Sequence, residues 1–487
     1  MEKYLPSRKA LAGRLFKQEY EKEKAQVISR LRDELTLALI SDGWTNTSKE
    51  KIVNYVLVPV VFSMTTDSAP VMPKAWEILE RERPIFCHGC SSHALNLILE
   101  EVMRLEWMSW ALTRSVAVAK FIRNRSQLLA RFQRQQKKGK EEHQRALRLP
   151  VLTRWYSSYE CIKSIVDNRS TNIDLFKKKK VLKKRFGRSP AKLNEARDIV
   201  ENKAFWSRTN LVASLMKPFV DAIAVLERDS CCVSMVYWQF SQLRREPIFN
   251  QRHSSIPVLV RKKILKSITD KWAFLHTDTI GISFLLDQTK KTADFVEADL
   301  AVAVESVKEI AVRLKVVTTP AETEQIGNEA CAFYLKKDRW SSQTRARQGG
   351  LSPIAWWSDK VNRTSTDDDY YPLLAPLAVK IYTIPTSSAA SERSWSIHDF
   401  IHTKRRNRLD AERVETLVYI YCNAGNKDSR TSILYTIDES QSDDEDEDED
   451  EEMDEESGES SDCSGNVDGY DSKAFSYDGS EEQKSKI

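Results

Sequence analysis

From about Leu149 to Lys337 the sequence carries almost nothing but helical periodicity. Windows such as "NEARDIVENKAFWSRTNLVASLMKPFVDAIAVLERDS" repeat apolar residues at three- and four-residue intervals, the pattern of a buried helix face. Strand-like segments are confined to the front of the chain. "LTLALISDGWTN" (Leu35 to Asn46) is an apolar run ending in an acidic turn. "KIVNYVLVPVVFSMTTDSAP" (Lys51 to Pro70) reads as strand twice over, broken at Pro59, where a central strand would lose a ladder donor. The expected fold is therefore α+β or α/β, with a few strands first and a long helical block after them.

Length and composition bound the rest. At 487 residues the chain predicts two or three structural units, and 41% hydrophobic residues with 12 Trp and 17 Phe supply a core. The net charge of +4 hides a split. Residues 438–487 hold 22 Asp+Glu against 3 Lys, leaving 72 Lys+Arg and 49 Asp+Glu before them, so a body of +23 precedes a tail of −19. A basic body suits nucleic acid, although a lysine-rich solvated surface gives the same sum. The tail is low-complexity and predicts disorder. The eight scattered cysteines form no disulfide framework and point to a reducing compartment. The N-terminus has no signal-peptide core, and "VLVPVVF" is far too short to span a bilayer, so a soluble protein without a membrane partner is expected. "KKKKVLKKRFGR" (Lys177 to Arg188) suits nuclear import.

Residues 1–34 read as a charged helix, 35–148 as the strand-bearing part, 149–352 as the helical block, and 353–425 as a final helical unit before the tail at 438–487. Three carboxylates stand out. Asp42 ends the first strand-like run, Asp67 ends the next, and Glu392 opens a helix more than 300 residues later. Carboxylates so placed can converge on a pair of hard divalent cations, which activate water and stabilise a leaving 3′-oxygen. Taken singly, each reads as a turn residue or a first-turn acid favoured by the helix dipole.

The blocks around them narrow the reading. "SDGWTN" (Ser41–Asn46), "TDSAPVMPKAW" (Thr66–Trp76), "CSSHALNL" (Cys90–Leu97), "TRW" (Thr153–Trp155), "PIAWW" (Pro353–Trp357) and "TSSAASERSWS" (Thr386–Ser396) occur in that order. Together they resemble the hAT superfamily of cut-and-paste DNA transposases, from about Tyr4 to Asn423. The block running on through "FIHTKRRNRLDAERVETLVYIYCN" is similar to that family's C-terminal dimerisation region. The resemblance implies an RNase H-like core, interrupted by a large all-α insertion and holding Mg²⁺ or Mn²⁺ on Asp42, Asp67 and Glu392 as catalytic residues. It implies a Cys-x-x-His motif beside the active site at Cys90 and His93, and a base-stacking tryptophan at Trp155 next to Arg154. Trp155 reads equally well as a packed core residue. Cys87, Cys90 and His93 have neither a fourth ligand nearby nor finger spacing, so no structural zinc is expected.

Two features depart from the family. No BED-type zinc finger precedes Tyr4, so site-specific DNA reading is expected to be missing. Only 24 residues separate Asp42 from Asp67, where the family has further strands and a crossover helix, so the core reads as shortened. The resulting expectation is a nuclear, transposase-derived protein that keeps self-association and DNA binding without catalysis. An active metal-dependent transposase is the alternative, and a helical scaffold with an acidic tail is a third reading resting on composition alone. Leu373, Leu374, Leu377, Leu417, Val418 and Ile420 are the apolar positions expected at a dimer interface, although packing inside one subunit would give the same periodicity.

Overall fold

A computed structural model describes residues 6–424 apart from 33–36, 46–50, 55–60, 68, 70, 139–145, 152–155, 178–181, 183–189, 229, 253, 254, 276, 297, 368 and 403–408. The side chains of residues 37, 42–45, 51–54, 138 and 396 also lie outside the description, as does the whole acidic tail. Helix α1 (Phe16–Arg32) is followed by four strands, β1 (Leu37–Ile40), β2 (Asp42–Thr45), β3 (Lys51–Asn54) and β4 (Val61–Thr66). Helix α2 (Met72–Glu82), strand β5 (Phe86–Gly89) and helix α3 (Ser91–Met103) come next.

Helices then succeed one another. They are α4 (Glu106–Arg123), α5 (Ser126–Lys138), α6 (Tyr156–Asp167), α7 (Arg169–Lys177), α8 (Pro190–Glu201), α9 (Lys203–Leu226) and α10 (Ser234–Arg245). After these come α11 (Val258–Leu275), α12 (Asp278–Leu286), α13 (Asp299–Arg313) and α14 (Pro320–Asp338). The last four are α15 (Pro353–Val361), α16 (Leu374–Tyr382), α17 (Ala389–Ile401) and α18 (Ala411–Ala424). The class is α+β with helix dominant.

Among the described residues, β1, β4 and β5 form a parallel sheet in the order β1-β4-β5, and β2 and β3 make a separate antiparallel pair. The 20 residues between β1 and β4 thus close a parallel neighbour pairing through the β2–β3 excursion, with Ile40 opposite Thr65. The short chain between Asp42 and Asp67 is long enough for the strands leading to them to lie side by side. Between β4 and β5 the crossover is helical, as parallel strands require. On central β4, Phe62, Ser63, Thr65 and Thr66 are buried, whereas Ala38, Leu39 and Ile40 on edge strand β1 are only half-buried.

The described residues belong to one compact unit, so the sheet and the helical block are not separate bodies. One core cluster runs from Phe62 and Phe86 on the sheet through Leu95, Met216 and Phe284 to Phe333, Trp357 and Leu377. A second gathers Ile122, Phe132, Phe176 and Leu193 around Phe205 and Trp206. Arg313 ties α13 to the sheet side by donating to Ile85 O at 3.0 Å, pairing with Glu80 at 2.9 Å and lying over the Phe86 ring. Helix α9 is long and apolar enough to cross a membrane, but it lies between both clusters and buries Phe205, Val212, Met216, Phe219 and Leu226 among them. Its apolarity serves the core. Trp356 and Trp357 are both buried in the first cluster.

Trp357 also explains why the end of the chain folds onto the helical block. The last carbonyls of α12 have no partner within their own helix. Side chains from three later helices reach them. Lys337 Nζ donates to Leu285 O at 2.6 Å and Asp287 O at 3.1 Å, Trp357 Nε1 to Leu286 O at 2.9 Å, and Tyr382 Oη to Ser283 O at 2.6 Å. The Lys337 ammonium also favours the negative end of the helix dipole. Burial nevertheless pushes its pKa down to about 8, with Asp287 and Asp338 pulling the other way.

The sign follows from the depressed value. Between pH 8 and 10.5 the unfolded chain holds the Lys337 proton and the folded chain releases it, so this group's contribution to stability rises with pH across that window, by about 3 kcal/mol. The Lys337→Met variant should lose that rise. Urea unfolding at pH 7.5 and 10, read as the difference between wild type and variant, measures it; equal pH dependence in the two proteins would refute the assignment.

Candidate active site

The three parallel strands end at one edge. Ser41 N donates to Thr65 O at 3.0 Å just past β1, and Cys90 N donates to Thr66 O at 2.7 Å just past β5. Asp42 therefore begins its strand directly after a residue pinned to β4, and Asp67 follows the last residue of β4. The start of α3 stands beside them. The carboxyl edge of parallel strands, next to a helix N-terminus, is where sheets of this kind hold ligands.

Residues Pro385–Ser388 cross this edge after some 300 residues of intervening chain. Thr65 Oγ1 donates to Pro385 O at 3.2 Å, Ser91 N and its hydroxyl both reach Thr386 O, and Thr386 Oγ1 donates to Leu226 O at 2.8 Å. Ser388 N donates to Cys90 Sγ at 3.2 Å. Helix α17 starts immediately afterwards and places Glu392 in its first turn, with Glu392 N bonded to Ser388 O. The same helix packs against β2, which Asp42 opens.

His93 reports what has been brought together. Burial lowers its pKa, and the charges of Asp67 and Glu392 act on it in the opposite direction, with Lys271 from α11 opposing them. The charges of two of the three expected carboxylates thus act on one imidazole. The third, Asp42, is placed by its backbone only. Trp155 and Arg154 lie outside the described residues.

The Cys90–His93 spacing has a local cause. Cys90 is the N-cap of α3, and its sulfur accepts from His93 N at 3.4 Å while lying 3.1 Å from Ser92 Oγ. The cap is the cysteine, where a serine is the more usual sequence choice. With the sulfur fully buried and three polar neighbours already on it, burial keeps the thiol protonated at neutral pH. Cys87 is pushed up to about 12, mainly by burial. Sequence reasoning missed His88, which is buried on β5 with Nε2 2.8 Å from Thr65 Oγ1 and Nδ1 3.2 Å from Gly89 O. Burial lowers His88 to about 4, so it supports the edge as a neutral ring. It also missed Thr65, Thr386 and Ser388, whose partners are too distant in sequence to be read from it.

Among the described residues no three His, Cys, Asp or Glu side chains form a metal-holding group. Asp67 and Glu392 are hard oxygen donors of the kind Mg²⁺ or Mn²⁺ requires, but with His93 they do not gather into such a group.

Residues 332–424 match the family model of the hAT family C-terminal dimerisation region. Over these residues the chain is similar to hAT-family, transposase-like proteins. No curated protein matches it. The hAT region begins on α14, includes the crossing segment and Glu392, and ends with α18.

Within the hAT region the expected interface residues divide into two groups. Leu374 and Leu377 on α16 are fully buried in the subunit's own core, and Leu373 packs partly against it. Leu374 and Leu377 offer no surface to a partner. Their helical spacing served the local core, which periodicity alone does not distinguish from an interface. Leu417, Val418 and Ile420 on α18 remain half-buried. That helix packs on α17 and on α1, where Tyr20 meets Tyr419 edge-on at 5.2 Å and Arg413 lies over the Phe16 ring.

If the Cys90 sulfur joins the crossing segment to α3, Cys90→Ala should cost about 1–3 kcal/mol by leaving the buried Ser388 N–H without an acceptor. Urea denaturation measures the change, and a loss below about 0.5 kcal/mol would show that the sulfur bonds contribute little.

Proposed function

We propose that the protein is a transposase-derived, self-associating nuclear protein that binds DNA. The observation that carries this reading is the hAT dimerisation region at residues 332–424, supported by the basic balance of residues 1–437. Self-association follows from the matched region, and α18 supplies the half-buried apolar side chains that a second copy would cover. The boundaries proposed are an N-terminal helical segment at 1–34, a shortened RNase H-like core at 35–148 and 353–425, a helical insertion at 149–352, and a disordered acidic tail at 438–487.

A second reading has its own support. The charges of Asp67 and Glu392 both act on His93, and β1, which runs up to Asp42, lies alongside β4; both observations support retention of a divalent-metal site. In that reading Asp42, Asp67 and Glu392 would hold Mg²⁺ or Mn²⁺, and the ion would supply Lewis-acid activation of water for phosphodiester cleavage. The site's own residues would orient the carboxylates. Thr65, Ser91 and Cys90 hold the crossing segment, and α3 presents its positive end to the negative charge.

Removing the whole C-terminal region would take Leu374, Leu377 and Tyr382 out of the core, so self-association is better tested on α18. A Leu417→Gln/Ile420→Gln double variant should lower the mass measured by light scattering to that of a monomer while helix content stays unchanged. An unchanged oligomer would remove α18 from the interface. Catalysis is tested separately by Mn²⁺-dependent nicking of supercoiled DNA. We expect none above background for either wild type or Glu392→Gln; nicking by wild type that Glu392→Gln abolishes would establish the second reading instead.

A further inference from the structure

Away from the strand edge, two cations are layered on one indole. The guanidinium carbon of Arg114 lies 4.0 Å from the Trp110 ring centre, and that of Arg208 lies 4.5 Å from Trp110 and 5.0 Å from Trp107. Trp107, Trp110 and Arg114 share one face of α4, spaced by three and four residues, while Arg208 comes from α9. Backbone carbonyls fix both arginines: Arg208 Nε donates to Trp107 O at 2.9 Å and Arg114 Nη1 to Trp110 O at 3.4 Å. Trp110 is itself wedged against Phe205, with ring centres 6.3 Å apart. All four side chains are half-buried, so the cluster reaches solvent in a fixed arrangement.

Its charge is uncompensated at contact range. Among the described residues neither arginine has a carboxylate within ion-pair distance; Glu195 acts on Arg114 and Glu106 on Arg208 only from further away. Burial lowers the pKa of both arginines, and the Arg114 charge lowers that of Arg208 further. Each guanidinium has further N–H donors besides the one given to a backbone carbonyl, and these can serve a phosphate. Because the cations already occupy ring faces, the cluster offers contact to a phosphate rather than a platform for bases. An anion bound between the two would offset the effect of one charge on the other.

We propose that Arg114 and Arg208, held on Trp107 and Trp110, form a phosphate-binding site that takes the phosphodiester backbone of nucleic acid without regard to sequence. This rests on the DNA-binding reading above and locates one of its contacts. The site stands at the far end of α3 from the candidate carboxylates, since 13 residues of helix span about 20 Å. It is therefore a second contact point on the subunit.

The test is binding of a fluorescein-labelled random-sequence duplex to the full chain, followed by anisotropy over a range of salt. Two lost phosphate contacts should lower the slope of log K against log salt by about 1.8 in Arg114→Gln/Arg208→Gln. Arg114→Lys/Arg208→Lys, which keeps the charges, should recover most of the slope. An unchanged slope in a folded glutamine variant would make the cluster mere packing between α4 and α9 and overturn the site. If the glutamine variant does not fold, arginine modification of wild type by phenylglyoxal replaces it. Protection of Arg114 and Arg208 by duplex supports the site, and equal labelling with and without duplex overturns it. A wild type that binds no duplex sinks the broader DNA reading together with this site, whereas wild-type binding with an unaltered variant slope sinks the site alone.

Discussion

The candidate site depends on the hydrogen bonds that Pro385–Ser388 makes with Thr65, Ser91, Cys90 and Leu226. Each is worth only about 1 kcal/mol net, yet all involve buried or half-buried groups that would be costly to leave unpaired. They join the end of β4, the start of α3 and the end of α9 through a single strand of chain. Without them Glu392 would have no reason to stand near Asp67, because the two are separated by more than 300 residues and no strand of the sheet connects them. The placement of Glu392 is thus a product of backbone satisfaction at a sheet edge.

That arrangement also shows how a sheet with few strands keeps its centre. Central β4 has strands on both sides, and its Ser63, Thr65 and Thr66 are enclosed although they are polar. Thr65 is satisfied by His88 and Pro385 O, and Thr66 by its bonds to Asp67 O and Trp76. Edge strand β1 carries the looser packing. The 20 residues between β1 and β4 suffice for their parallel neighbour pairing.

The helical block, the strand starts and the positions of Asp42, Asp67 and Glu392 at element ends were legible because periodicity and turn chemistry are local signals. Only resemblance to a family proposed a shared site for them. Three details were not legible by either route. Cys90 as a helix cap was hidden by the adjacent serines, which are the commoner caps. The core role of Leu374 and Leu377 was hidden because a helix face has the same spacing whichever surface it meets. The layering of Arg114 and Arg208 on Trp110 depends on α9 arriving beside α4, and nothing near residue 114 announces residue 208.

The side chains that close the carboxyl end of α12 have a consequence for how such a chain ages. Lys337, Trp357 and Tyr382 belong to the matched hAT region, but their partners lie in the helical block before it. The region is therefore no detachable module. A lineage that gave up transposition would still be selected to keep these residues, simply to keep a folded polypeptide. Their survival in a sequence is evidence of a maintained fold before it is evidence of a maintained activity.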